Sequence, residues 1–359
     1  MLPRPEFLYG IHDTGGEYLM LETERPGWIV VTERVGTHAT RVLDYKHLAD
    51  SGLGVIVRLN HGYYPDGTIP APIDYDKYAD ACARSVSNSI GCRRWIIGNE
   101  PNHVQERPGG EPIVPLDYAN CFKMCRDAIK ALPSHENDEV ITAAIAPWDC
   151  STTYGWNRSG DWLAYFSDML NLLCDQCDGI ALHAYTHGFA PRLIYSDVML
   201  LPPFQDRFYH WRAYTQFMER IPISMRHLPV YITEADNCDY AWSTENTGWV
   251  QTAYGDINWW NEQPGTQKIL ALCLYRWQPH DCWSFKDNNG VIADFQKAME
   301  RGYRVPEAPQ PAKIASLPAP QGSWNAMVNR IKQAADRAEE LATDLREVHR
   351  LARWFGGDF

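Results

Sequence analysis

Two glutamates close apolar runs. Glu100 comes directly after Trp95-Ile96-Ile97-Gly98-Asn99, and Glu234 directly after Pro229-Val230-Tyr231-Ile232-Thr233. A carboxyl at the end of a buried strand sits where a rigid element meets a loop, the usual place for a reacting group. Two such groups brought face to face suit substitution at an acetal carbon. One holds a proton for the departing oxygen; the other stays ionised and attacks or stabilises the carbon. Either glutamate alone reads as a rim salt bridge. The pair, with Asn99 directly before one member, points to catalysis. They stand far apart in the chain, so a repeating architecture is needed to bring them together.

The pattern of apolar and β-branched runs predicts one. Strands are expected at Leu8–His12, Trp28–Arg34, Gly54–Asn60, Arg94–Asn99, Val140–Ala146, Asp178–His183, Pro229–Thr233 and Leu270–Arg276. Helix-like stretches fall between them, among them Asp74–Ser87, Asp117–Ala131, Asp161–Leu173 and Arg207–Arg220, and Asn289–Arg301 follows the last strand. Strands alternating with helices predict βα units on a parallel sheet. Runs that are apolar throughout, such as Val55-Ile56-Val57, predict strands covered on both faces. Eight units predict an α/β fold of the closed (β/α)8 TIM-barrel type. An open doubly wound sheet is the alternative, but no glycine fingerprint follows the first strand. Connections into strands are short, as at Ser51-Gly52. Those leaving strands are long and aromatic, as at 147–160, 184–205 and 235–264. Elaboration therefore falls on the end where barrels carry their sites, and strands four and seven face one another across that mouth.

Composition narrows the class. The 359 residues fit one large barrel with an appendage as well as two ordinary domains. With 33 Lys and Arg against 45 Asp and Glu, the net charge is −12, the wrong sign for a nucleic-acid partner. No apolar run is long enough to span a membrane. The first residues carry no signal-peptide pattern, which leaves the compartment open. Ten cysteines are too sparse for a disulfide scaffold. The one close pair, Cys174 and Cys177, reads as helix-end packing rather than a metal knuckle, and no His/Asp cluster at ligand spacing marks the strand ends. The 14 tryptophans suit either flat ligands or an aromatic core.

Residues 1–303 are assigned to the barrel. A linker at 304–322 follows, with five prolines between 306 and 320. In the last segment, 323–359, apolar residues from Trp324 to Phe355 alternate at intervals of three and four. That is a heptad seam, which predicts a C-terminal coiled-coil helix and homo-oligomers through 323–355. A single helix folded back on the barrel is the other reading.

Asn99-Glu100-Pro101 on strand four, with Glu234 ending strand seven, resembles the clan A retaining glycoside hydrolases. That clan includes cellulases, mannanases, β-xylosidases and exopolysaccharide-degrading endoglycosidases. Short motifs carry the resemblance across roughly residues 7–303. It implies Glu100 as the general acid/base, Glu234 as the nucleophile and Asn99 on the sugar 2-hydroxyl. It further implies that Tyr185, in His183-Ala184-Tyr185, orients Glu234, and that Trp277 stacks on the sugar. Either Arg34 or Arg58 would hold the nucleophile ionised, and Trp148 would line a subsite. His12-Asp13 reads equally as a sugar contact or a turn. Trp242, Trp249, Trp259 and Trp260 are divided between cleft wall and loop core. Asp236 and Asp239 read as solvated. The expected reaction is hydrolysis of β-glycosidic bonds in an oligo- or polysaccharide, with no cofactor, since the two carboxyls supply the chemistry. A non-catalytic carbohydrate-binding barrel made multivalent by its coiled coil is the rival.

Overall fold

The computed structural model describes residues 4–38, 42–239 and 241–305. Eight parallel strands form a closed barrel, in chain order around the ring. They are β1 Tyr9–His12, β2 Trp28–Arg34, β3 Gly54–Asn60, β4 Arg94–Ile97, β5 Glu139–Thr142, β6 Gly179–Tyr185, β7 Val230–Asp236 and β8 Ile269–Leu274. Tyr9 lies opposite Leu272, which joins the last strand to the first. A helix follows each strand: α1 Tyr18–Glu22, α2 Lys46–Asp50, α3 Tyr75–Ser87, α4 Pro115–Lys130, α5 Trp162–Leu173, α6 Ala213–Arg220, α7 Trp249–Glu262 and α8 Asn289–Glu300. The expected TIM barrel is therefore present. A parallel pair, Leu43–Asp44 with Ser89–Ile90, lies outside the ring.

Residues two apart on a strand share a face. Trp28, Val30, Ile56, Ile96, Ile141, Ala181, Tyr231, Ala271 and Cys273 are buried together inside the barrel. The alternate residues, such as Ile29, Val55, Val57, Ile97 and Leu182, join the larger core that the helices cover. Both faces are thus apolar, which is why these runs show no polar alternation. Helix starts are locally encoded: the Asp161 carboxylate accepts from Leu163 N at 3.0 Å, and Asn288 Oδ1 from Gly290 N at 3.1 Å.

Strand ends depart from the sequence pattern where the site lies. β4 stops at Ile97, two residues short of Asn99, because Gly98 (φ 75°) and Glu100 (φ 37°) turn the chain out of the sheet. β6 and β7 run on to Tyr185 and Asp236, since their ladder continues beyond a bulge. β5 and β8 end early, at Thr142 and Leu274. Cys174 is the left-handed cap of α5 and Cys177 is buried, as helix-end packing requires. Arg304 and Val305, placed at the head of the linker, instead pair with the start of the chain: Val305 N donates to Glu6 O at 2.8 Å. The rest of the linker and the heptad segment 323–359 lie outside the described residues. Among the described residues no helix is long and apolar enough to cross a membrane.

Candidate active site

Counting by twos along the inward faces leads from the barrel interior to its mouth. His12, Thr32, Arg58, Tyr185 and Tyr275 all follow this count and all line one cavity of about 580 Å³. Glu234 does not. Tyr231 faces inward, so strict alternation would put position 233 inside and 234 outside. The register between β6 and β7 skips here: Leu182 faces Ile232, and His183 faces Glu234. Thr233 is the extra residue, and the bulge turns Glu234 into the cavity. Glu100 reaches the same space by the turn after β4. Gly98 opens that turn; a Cβ there would meet Ile69 and Thr68 at 3.3 Å at an unfavourable φ. Glu100 itself sits at positive φ, a strain of about 1–3 kcal/mol. The clamp is Asn102, whose amide exchanges hydrogen bonds with the Ala146 backbone at 2.8 and 2.9 Å.

Arg58 organises the floor. It is 5% exposed, and its Nη1 donates to Glu234 Oε1 at 2.7 Å and to Asn99 Oδ1. Nε donates to Thr32 Oγ1 at 2.9 Å. Its Nη2 contacts His12 Nε2. A guanidinium only donates, so His12 accepts there and carries its proton on Nδ1, toward Asp13 Oδ1 at 3.1 Å. Burial, with Arg58 adding to it, keeps His12 neutral against the pull of Asp13. Burial acts the other way on Asp13 and would raise it, but His12 and a two-point pair with Arg276, at 2.7 and 3.1 Å, hold it well below the carboxylate range.

The two glutamates meet on one imidazole. His183 Nδ1 lies 2.7 Å from Glu100 Oε1, and its Nε2 lies 3.7 Å from Glu234 Oε1. Tyr185 OH donates to Glu234 Oε2 at 2.9 Å and touches His183 Nδ1 at 3.0 Å. Burial alone would raise the Glu234 carboxyl. His183 and Arg58 overcome it and hold Glu234 low, at about 2. Asp236 takes the opposite course: buried, and beside the Glu234 charge, it is pushed well above the carboxylate range and keeps its proton.

The residues singled out in the sequence separate clearly. Glu100, Glu234, Asn99, Arg58, Tyr185 and Trp148 line the cavity, and His183 backs the two carboxyls. Arg58 is the arginine on Glu234. Arg34 lies at the outer edge of β2, its exposed side chain paired with Asp66 at 2.5 Å. Trp277 is only 4% exposed and packs against Gly16, Tyr18 and Phe285, away from the cavity walls. The wall aromatics are instead Tyr63, Trp148, Tyr185, Tyr275 and Trp283. Trp242 and Trp249 belong to the core, Trp260 packs on it and Trp259 is exposed. Asp236 is buried in the site rather than solvated. Glu106 was passed over, and only its nearness to Glu100 in sequence marked it; it too lines the cavity. At one wall His187 Nδ1, Cys238 Sγ and Asp239 Oδ1 converge within 4.8 Å, donors of the kind that hold a divalent cation. Sequence spacing did not group them because they stand on loops after different strands.

The fold is thus a closed parallel (β/α)8 barrel, with Glu100 in the turn after β4 and Glu234 near the end of β7. Among solved structures, the chain is similar to a glucosidase from Croceicoccus marinus, with a TM-score of 0.52 and 8% identity over 83% of this chain and 68% of that one. It is also similar, at a TM-score of 0.47, to a GH128 endo-β-1,3-glucanase from Amycolatopsis mediterranei in complex with laminaritriose, with 12% identity over 81% and 99% of the two chains. A GH30 xylanase C catalytic domain from Talaromyces cellulolyticus has the same TM-score, with 10% identity over 82% and 75%. Identities this low establish a shared fold, carried by the glucosidase. Neither a family model nor a curated protein sequence matches the chain.

Proposed function

We propose that the protein is a retaining β-glycosidase that cleaves an oligo- or polysaccharide by double displacement. One observation carries the reading: Glu100 and Glu234 share His183 on the floor of an aromatic-walled cavity, and a buried arginine holds one of them ionised. The volume, about 580 Å³, suits a sugar ring with room for a neighbour.

In this reading Glu234 Oε attacks the anomeric carbon while Glu100 gives its proton to the departing glycosidic oxygen. The C–O bond to the leaving sugar breaks and an ester to Glu234 forms. Water then attacks the same carbon, Glu100 takes its proton, and the ester opens to return Glu234 as a carboxylate. His183 Nδ1 faces Glu100 at 2.7 Å and Nε2 faces Glu234 at 3.7 Å, so one ring positions both carboxyls. Asn99, its Oδ1 taken by Arg58, has an amide hydrogen left for the sugar 2-hydroxyl.

Kinetics on aryl β-glycosides test this. Glu234→Ala should lose at least about 10³-fold in kcat on every substrate. Glu100→Ala should lose about 10²–10⁴-fold with a poor leaving group and far less with dinitrophenolate, which needs no proton. Near-native turnover by Glu234→Ala rejects the nucleophile. Sugar binding without hydrolysis by the wild type supports the carbohydrate-binding rival.

A further inference from the structure

Glu106 stands on the loop after β4 and contributes to the cavity wall. One of its carboxyl oxygens, Oε1, accepts from Asn99 Nδ2 at 3.1 Å. The other, Oε2, is buried and has no hydrogen-bond partner. Because Glu106 lines the cavity, that oxygen is placed to meet a hydroxyl of a bound ligand. The loop holds the group in place: Thr68 N donates to the Glu106 carbonyl at 2.9 Å, and Thr68 Oγ1 accepts from Asn99 N at 2.5 Å. Asn99 and Glu106 therefore form a rigid, hydrogen-bonded pair, anchored through Arg58 to Glu234.

The geometry points to Glu106 as a sugar-binding residue whose Oε2 hydrogen-bonds the C3 hydroxyl of the ring being cleaved. This rests on the glycosidase reading. If Asn99 serves the 2-hydroxyl, its bonded neighbour faces the next position along the ring. Carbon 2 has two ring neighbours; one is the anomeric carbon under attack, which leaves C3. The charge balance agrees. Arg58 on β3 is the cation facing Glu106, while Glu100 after β4 and Glu234 on β7 are acidic; His103 and Arg107 flank it on its own loop. Burial first, then Glu100 and Glu234, raise the Glu106 carboxyl to about 7, so below neutrality it carries a proton to donate. The ligand is thus a β-glycoside with a free 3-hydroxyl, and chains substituted at that oxygen on the cleaved ring are excluded.

The test takes the aryl β-glycoside that the wild type cleaves fastest, with its 2-deoxy and 3-deoxy analogues, and compares wild type, Glu106→Gln and Glu106→Ala. Wild type should lose about 10- to 100-fold in kcat/KM on the 3-deoxy substrate. Glu106→Gln, which keeps a donor and an acceptor, should preserve most of that discrimination. Glu106→Ala should lose it, cleaving parent and 3-deoxy substrates at similar rates, while its 2-deoxy penalty persists. If Glu106→Ala slows parent and 3-deoxy substrates by the same factor, Glu106 merely supports Asn99 and the inference is wrong. Absence of any hydrolysis by the wild type would sink the glycosidase reading and this inference with it.

Discussion

Replacing Arg58 with methionine (Arg58→Met) removes the guanidinium bonded to Glu234 and nearly keeps the side-chain volume. The ordinary glutamate value is 4.5, and in this site Glu234 is held at about 2. At 1.36 kcal/mol per pH unit, that gap is about 3 kcal/mol in favour of the ionised form. Removing the guanidinium leaves His183 and His12 as the groups that oppose burial, so the carboxyl should rise toward the ordinary value. The nucleophile must be ionised, so activity falls as pH drops through its pKa. In wild type that fall lies near pH ~2, beneath a flat profile over the moderately acid range. In the variant it should move up by at least ~1 pH unit, the low end of what one adjacent opposite charge does to a carboxyl. The assay is kcat/KM against pH on a dinitrophenyl β-glycoside, which reports Glu234 without needing acid help from Glu100. A second variant, Arg34→Ala, serves as the control: its exposed partner is Asp66, so its acid limb should coincide with wild type. Parallel profiles for wild type and Arg58→Met would refute the claim that Arg58 sets the state of the nucleophile.

Two further expectations concern the tryptophans and the tail. Trp277→Ala should cost about 3–5 kcal/mol of stability by urea unfolding, with KM nearly unchanged in the folded fraction, because the ring is core. Trp283→Ala should raise KM several-fold with little loss of stability, and the reverse pattern would return Trp277 to the sugar. The heptad seam at 323–355 leads us to propose that the chain self-associates. Sedimentation of the full chain beside a version ending at Val305 should show an oligomer and a monomer, and two monomers would refute the role of the seam.

Much of this protein was legible in one dimension. Burial on both faces forces strand runs to be apolar throughout, so β2, β3 and β6 stood out without any alignment. Helices between them point to a parallel sheet, and eight repeats match the count of a closed barrel. Inward parity was legible too: once Trp28 and Ile56 are inside, Thr32 and Arg58 follow at the mouth. Glu100 and Glu234 were visible because each ends such a run. What the chain order does not encode is the state of its hydrogen-bond ladder. The skipped residue at Thr233 depends on how β7 pairs with β6, yet it decides that Glu234 faces the cavity. Charge pairing is equally a matter of position in space: Arg34 and Arg58 are both arginines on inner strands, and only the barrel puts one on Asp66 and the other on Glu234. Trp277 was expected on the sugar, but the fold of the chain after β8 packs that ring and leaves Trp283 lining the cavity. Glu106 and Asp236 are ordinary acids by sequence. Their protons belong to the tertiary structure, where several largely buried carboxyls crowd one arginine.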